Sequence, residues 1–441
     1  MHTDVFRARR RAFVQAMKRA SGGADAVCVL PSWPIQMRNG DVEQEYRQDS
    51  DFFYLTGFAE PESVLVLSTR EGEQDPALTL FVRPRDPERE IWDGPRAGVD
   101  GAVSQFGATT SLPIADFDRE LPRLLGNHHY LFYKLHRDRA FDERMLGTLD
   151  RLKARGRTPT FYPSAIVEPG SILHEMRLKK DGDELERMGR AAKISGEAHR
   201  RAMALTKPGL FEYEVEAVLL EAFRRGGAER QAYGAIVGSG ANATILHYRS
   251  NDRRIADGDL LLIDAGCEFG HYASDITRTF PANGTFSKAQ RAVYEVVLEA
   301  QLAAVAATKP GAKLDQIHAI TCESLTRGLV RIGLLAGEVA KLVETDAYKP
   351  FYMHRTSHWL GMDVHDVGAY FEGGAPRKLA PGMVLTIEPG LYIGEKADVA
   401  AEFRGIGVRI EDDIVVTADG CMNLTADVPK TVDEIERTCR G

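Results

Sequence analysis

Three acidic residues in this chain stand where a carboxylate is costly. Leu260 to Ile263 run straight into Asp264, Val384 to Ile387 into Glu388, and Gly407 to Ile410 into Glu411, so each closes a run that reads as a buried strand. An unpaired buried carboxylate is destabilising by several kcal/mol. A fourth, Asp275, follows in D-I-T-R-T-F (275–280). If Phe269-Gly270 is a two-residue hairpin turn, Glu268 faces His271, Gly266 faces Ala273 and Asp264 falls directly opposite Asp275. Opposed residues in such a ladder lie roughly 5 Å apart, where two like charges repel by about 3 kcal/mol at an effective dielectric of about 20. A shared proton cancels that repulsion, and so does a pair of hard cations held between oxygen ligands. Three histidines, His354, His358 and His365, occupy the segment M-H-R-T-S-H-W-L-G-M-D-V-H-D-V-G (353–368). Singly, each reads as a hydrogen-bonded structural histidine; beside several misplaced carboxylates, one of them would complete a two-metal site.

The elements that must position these groups fall into two regions. Short β-rich runs at Ala26–Leu30, Phe52–Gly57, Ser63–Ser68, Leu78–Val82 and Tyr130–Leu135, with a helix over Phe141–Ala154, suggest a first mixed α/β domain over residues 1–172. A boundary near Pro169-Gly170 leaves residues 173–441 as a second domain, which carries all the groups above. There the chain reads as a helix (Glu184–Leu205), a Lys207-Pro208-Gly209 turn, a second helix through Arg225, and strands to Phe280. Helices over Lys288–Thr308 and Leu314–Ile332 follow, around another Lys-Pro-Gly at 309–311, before the strands that carry Glu388 and Glu411. Helix, K-P-G, helix and strands, used twice, suggest an internal duplication and hence a pseudo-symmetric site.

Bulk properties narrow the function. The length of 441 residues is enough for two to three domains with proper cores, and 44% hydrophobic with 27% charged residues describes a globular chain. No apolar run approaches the length of a membrane span. A net charge of −8 argues against nucleic acid as a partner, which needs a basic surface. The cysteines Cys28, Cys267, Cys322, Cys421 and Cys439 are scattered, with no C-x-x-C pair, so reduced thiols are expected. Phe6, Phe13 and Met17 among arginines imply an amphipathic first helix without the apolar core of a signal peptide. That points to a cytoplasmic protein, with a mitochondrial presequence as the alternative. The V-G-S-G-A-N-A stretch (237–243) contains a loose dinucleotide fingerprint, but T-I-L-H-Y-R-S-N-D-R-R after it is not the amphipathic helix a phosphate site requires. There is no G-K-[ST] and no G-x-S-x-G, and Cys267 reads as packing.

The ordered motifs I-D-A-G (263–266), D-I-T-R-T-F (275–280), S-H-W-L-G (357–361), V-H-D-V-G (364–368), T-I-E-P-G-L-Y (386–392) and G-I-G-V-R-I-E-D-D (405–413) closely resemble aminopeptidase P, the Xaa-Pro aminopeptidases. Y-R-Q-D-S-D-F-F-Y-L-T-G-F (46–58) and E-I-W-D-G (90–94) resemble that family's first domain. The resemblance implies a mixed first domain followed by a pseudo-symmetric pita-bread catalytic domain. It implies that Asp264, Asp275, His358, Glu388 and Glu411 ligate two divalent metal ions, usually Mn²⁺, with Co²⁺, Zn²⁺ or Fe²⁺ able to occupy the same set.

The expected reaction is hydrolysis between an N-terminal residue and a following proline, with a hydroxide between two cations as nucleophile. Glu388 would also move the proton, while His365 and His247 hydrogen-bond the scissile carbonyl or the oxyanion. His354 and Arg409 would wall the proline pocket; Asp41 would hold the substrate ammonium, reaching across from a neighbouring subunit of a dimer or tetramer, with Trp92 beside it. Partners would be peptides with proline at the second position, with no nucleic acid and no membrane. The nearest rival is a prolidase, which accepts only dipeptides. Methionine aminopeptidases share the fold but lack such a first domain, and non-catalytic pita-bread binding modules have lost metal ligands.

Overall fold

The computed structural model describes residues 3–70, 76–154 and 159–441, which divide into two compact units, Met1–Met176 and Arg177–Gly441. The first unit is built on a six-stranded sheet in the order Thr110–Pro113, Leu78–Val82, Val64–Ser68, Ala26–Pro31, Tyr130–Phe132, Ala165–Val167. Val64–Ser68 pairs antiparallel with both its neighbours, and the other three pairs are parallel. Val27, Val29, Val64, Val66 and Phe81 pack beneath Phe117, Leu121 and Leu125 of a covering helix. The expected N-terminal helix runs Thr3–Ala20, with Met1 and His2 outside the described residues, and buries Phe6, Phe13 and Met17. The helix expected over Phe141–Ala154 spans Arg139–Lys153.

One expected strand is a helix. Of the run Phe52–Gly57, all but Gly57 lies in the helix Ser50–Thr56, because Asp49 caps its start by accepting from the Phe52 amide and Gly57 ends it at φ 66°. All seven helical residues are buried, so the run carries neither periodicity that separates helix from strand.

In the second unit two helical hairpins, Gly182–Leu205 with Glu212–Arg225 and Lys288–Ala307 with Leu314–Arg331, repeat one local design. Capping boxes at Asp181/Glu184 and Ser287/Gln290 open the long helices. The two Lys-Pro-Gly turns place Gly209 and Gly311 at φ +99° and +84°. Each second helix starts on a single antiparallel bridge to a later segment, Phe211 to Arg254 and Lys313 to Lys378. The strands behind them pair in equivalent ways: Leu260–Asp264 with Thr277–Pro281, and Val384–Ile387 with Asp412–Val416. Apolar faces of these strands pack on the hairpins, Ile263, Val293 and Val297 in one cluster and Leu385, Ile414 and Ala304 in another. The mixed α/β class and the two helix-backed halves are as expected.

The hairpin register differs from the expected one. Phe269 pairs with Tyr272 and Glu268 with Ala273, so the turn residues are Gly270 and His271. Both have positive φ, 58° and 67°, which a type I′ turn requires; glycine and histidine tolerate it better than Phe269 would. Asp264 therefore faces Thr277 rather than Asp275. Opposite Asp275 lies Gly266, where a Cβ would sit 1.8 Å from the Ser274 carbonyl oxygen, so no larger residue fits that approach. Thr277 and Asp275 share a strand face by the two-residue period, which leaves the two aspartates diagonal neighbours.

Candidate metal centre

The strand ends converge on a cavity of about 750 Å³ in the second unit. Asp264, Asp275, His358, Glu388 and Glu411 all line it, as do His247, His354, His365 and Arg409. Asp41 and Trp92 do not: both are exposed residues of the first unit, Asp41 in the turn between Met37–Asn39 and Val42–Glu43, and Trp92 in the helix Pro87–Asp93.

Each acid is held by a different element. Asp264, at the end of its strand, accepts from Arg409 Nη2 at 2.7 Å and from the Tyr233 hydroxyl at 2.5 Å. Tyr233 also contacts Asp275, so one hydroxyl ties the two diagonal aspartates together. The Asp275 amide points at the Asp413 carboxylate, and Asp275 Oδ2 lies 3.4 Å from His358 Nε2. Glu411 accepts from the Thr277 hydroxyl at 2.6 Å. Glu388 donates its backbone N–H to the Thr356 carbonyl, pinning the segment that leads to His358 against its own strand. His358 Nδ1 is 3.0 Å from the Trp359 carbonyl, which makes Nδ1 a donor and leaves Nε2 facing Asp275 and, at 3.6 Å, Glu388. Ligand atoms of Asp275, His358 and Glu411 lie within 4.8 Å of one another.

The electrostatics are those of an anion-rich pocket. Burial pushes the Glu388 carboxyl up to about 7, against the pull of His358 and Arg409, and the Asp275 and Asp264 charges push the same way. Burial and then Asp275, Glu388 and Asp264 push Glu411 well above the carboxylate range. Burial would lower His358, but Asp275 and Glu388 outweigh it and raise the imidazole to about 9. Asp275 is held below its ordinary value because His358, Tyr233 and Arg409 outweigh its burial. Four carboxylates and one imidazole form an oxygen-rich donor set that fits hard or borderline divalent cations, and two of the acids need added positive charge to ionise together.

The other histidines differ. His354 Nε2 accepts from the Tyr392 hydroxyl at 2.8 Å, its Nδ1 donates to the Arg355 carbonyl, and burial lowers it to about 4, so it is neutral. Tyr392 in turn accepts from Arg409 Nη1 at 3.0 Å. His365 is exposed, its ring centroid 4.2 Å from that of His358, and Asp366 beside it is anchored by Arg177 and Lys180 at 2.6 and 2.9 Å. His247 is exposed on the cavity wall.

Sequence reasoning missed Tyr233, Asp413 and the support beneath Glu411. Arg278 and Asp412, both fully buried, pair at 2.7 Å, and Arg278 also donates to the Glu411 carbonyl at 2.6 Å. Lys430, Gln301, Asn423 and Thr425 complete the shell around Asp412. The available signal was E-D-D at the start of a strand: three successive acids cannot all face solvent where the flanking run is buried. Tyr233, in Q-A-Y-G-A, carries no spacing signature.

The ligand-like cluster, seated between two helix-backed halves that repeat one hairpin design, is the arrangement of a metallopeptidase. Residues 186–418 match metallopeptidase family M24, and residues 6–133 match the aminopeptidase P, N-terminal domain. The chain belongs to metallopeptidase family M24. It is similar to the Xaa-Pro aminopeptidase of Escherichia coli (strain K12), 42% identical over 431 residues that cover 98% of this chain and 96% of that protein. Among solved structures it is similar to the Pseudomonas aeruginosa aminopeptidase PepP, with a TM-score of 0.96 and 50% identity over 100% of this chain and 98% of that one. It is also similar to a Zn-substituted E. coli aminopeptidase P in complex with product, with a TM-score of 0.95 and 41% identity over 100% and 98% of the two chains. No described helix is long and apolar enough to cross a membrane.

Proposed function

We propose that this metallopeptidase is a Xaa-Pro aminopeptidase, with Asp264, Asp275, His358, Glu388 and Glu411 holding two divalent cations, Mn²⁺ the preferred pair. The observation that carries the reading is the convergence of all five groups on one cavity, in a chain similar over nearly its whole length to Xaa-Pro aminopeptidases. Bound cations of this kind polarise a carbonyl and lower the pKa of water. The chain's own residues supply the rest. Arg409 and Tyr233 fix the Asp264 carboxylate from two directions, so its free lone pairs keep one orientation. Glu388 moves the proton between the attacking water and the leaving nitrogen. A proline nitrogen has no N–H and leaves as a secondary amine only after receiving a proton, which Glu388 delivers. His365 and His247, exposed to the cavity, donate to the scissile carbonyl oxygen as negative charge develops there. Neutral His354, locked to Tyr392, offers a fixed wall for the proline ring, with Arg409 behind it.

Five free cysteines fit a reducing, cytoplasmic setting. The exposure of Ile91 and Trp92, 81% and 84%, fits a homo-oligomer in which Asp41 and Trp92 serve a neighbouring subunit's substrate. Hydrolysis of X-Pro-Y tripeptides with added Mn²⁺ tests the reading; activity confined to X-Pro dipeptides would make the protein a prolidase instead.

A further inference from the structure

The wall that carries His247 has almost no regular structure. After the strand Ile236–Ser239 and a short 3-10 turn over Gly240–Thr244, the chain runs irregularly to the bridge at Arg254, and Leu246, His247 and Arg249 of this stretch line the cavity. Loops of this kind hold a shape only if side chains take over the hydrogen bonding that a ladder would supply.

One carboxylate does so. Glu212, at the start of the helix Glu212–Arg225, is fully buried at 0% exposure. Its Oε1 accepts from the Ser239 amide and the Ser239 hydroxyl, both at 2.7 Å, and from Asn242 Nδ2 at 3.1 Å. Its Oε2 accepts from the Tyr248 hydroxyl at 2.8 Å and from the Arg253 amide at 3.0 Å. The Glu212 amide returns a bond to the Arg253 carbonyl. The carboxylate thus gathers the entry, the middle and the exit of the stretch, and Tyr248 is the covalent neighbour of His247. Every partner is a donor, so a carboxylate fits and an amide does not: a glutamine would turn an N–H toward the Arg253 or Ser239 amide.

We infer that Glu212, acting through Tyr248, is a positioning residue that sets His247 against the substrate. The inference rests on the reading of His247 as a group that contacts substrate. Misplacing a catalytic group by about 1 Å costs about 10²-fold in rate.

A double-mutant cycle tests it: steady-state kinetics on an X-Pro-Y peptide with Mn²⁺ for the wild type, E212Q, H247A and the double variant, with metal content measured for each. E212Q is expected to lower kcat by about 10²-fold at unchanged metal content. In the H247A background the same change is expected to cost little more, because the group it positions is already gone. An additive cycle, with the full loss repeated in the H247A background, would reduce Glu212 to a structural residue and overturn the inference. Wild-type turnover in H247A would overturn the reading of His247 itself, and with it the route by which Glu212 acts. Should E212Q fail to fold, Y248F removes one bond of the five; it should lower kcat less and in the same non-additive way, and wild-type kinetics in Y248F would contradict the inference.

Discussion

Arg409 places Nη2 2.7 Å from Oδ2 of Asp264 and is itself only 4% exposed. The pair joins two strands that lie far apart in sequence, and Arg409 reaches on to Tyr392 and Thr277. Without the guanidinium, Asp264 would be one more uncompensated anion in a pocket where Glu388 and Glu411 already resist ionising.

Replacing Arg409 by Met should therefore destabilise the metal-free protein by about 3–5 kcal/mol, the range for breaking a mostly buried pair from one side. Urea unfolding measures this. Adding Asp264→Asn to the same chain should recover part of the loss, since the anion left alone is then removed.

The histidines divide by geometry. His358 presents Nε2 to Asp275 and Glu388, whereas His365 lies beside it, its ring tilted by 48°, on the exposed side. His358→Ala should lose metal, as should Asp264→Asn, both with most of the activity. His365→Ala should keep its metal and lower kcat by roughly 10²–10³, the magnitude of one lost oxyanion donor. Elemental analysis beside turnover separates these outcomes, and equal metal loss in the two histidine variants would refute the division.

Acidity should act on the metal-free and metal-loaded protein differently. Glu388 rises from 4.5 to about 7 on folding and His358 from 6.5 to about 9. Raised folded values stabilise while the proton is held, so these contributions are full below the unfolded values and fade as pH climbs to about 7 and about 9. Cation binding displaces both protons. The rise in Tm on adding Mn²⁺ should be larger at pH 8 than at pH 5.5, and thermal melts at the two pH values check it; a pH-independent rise would contradict the placement of these groups at the cation.

Which features the sequence revealed follows from how local their causes are. Asp264, Glu388 and Glu411 were legible because each ends an apolar run, so the anomaly is visible within five residues. The paired hairpins were legible through their Lys-Pro-Gly turns, whose glycines do take positive φ. The hairpin register was misjudged by one turn position, since the preference of a type I′ turn for Gly270-His271 over Phe269-Gly270 outweighs the tidier opposition of two aspartates. Phe52–Gly57 was misread because a helix buried all round leaves no amphipathic pattern, although Asp49 and Gly57 marked its ends. Tyr233 and Glu212 were invisible for another reason: their partners come from segments brought together only by folding, Asp275 for one and Ser239 to Arg253 for the other.

The most direct test of the account is a Mn²⁺ titration of the metal-free chain, followed by the release of the Pro-Y dipeptide from an X-Pro-Y peptide and from its N-acetylated form. The account predicts cleavage of the free peptide alone, rising to a plateau at two equivalents of Mn²⁺ per chain. Equal cleavage of the acetylated peptide, or a plateau reached without Mn²⁺ uptake, would contradict it.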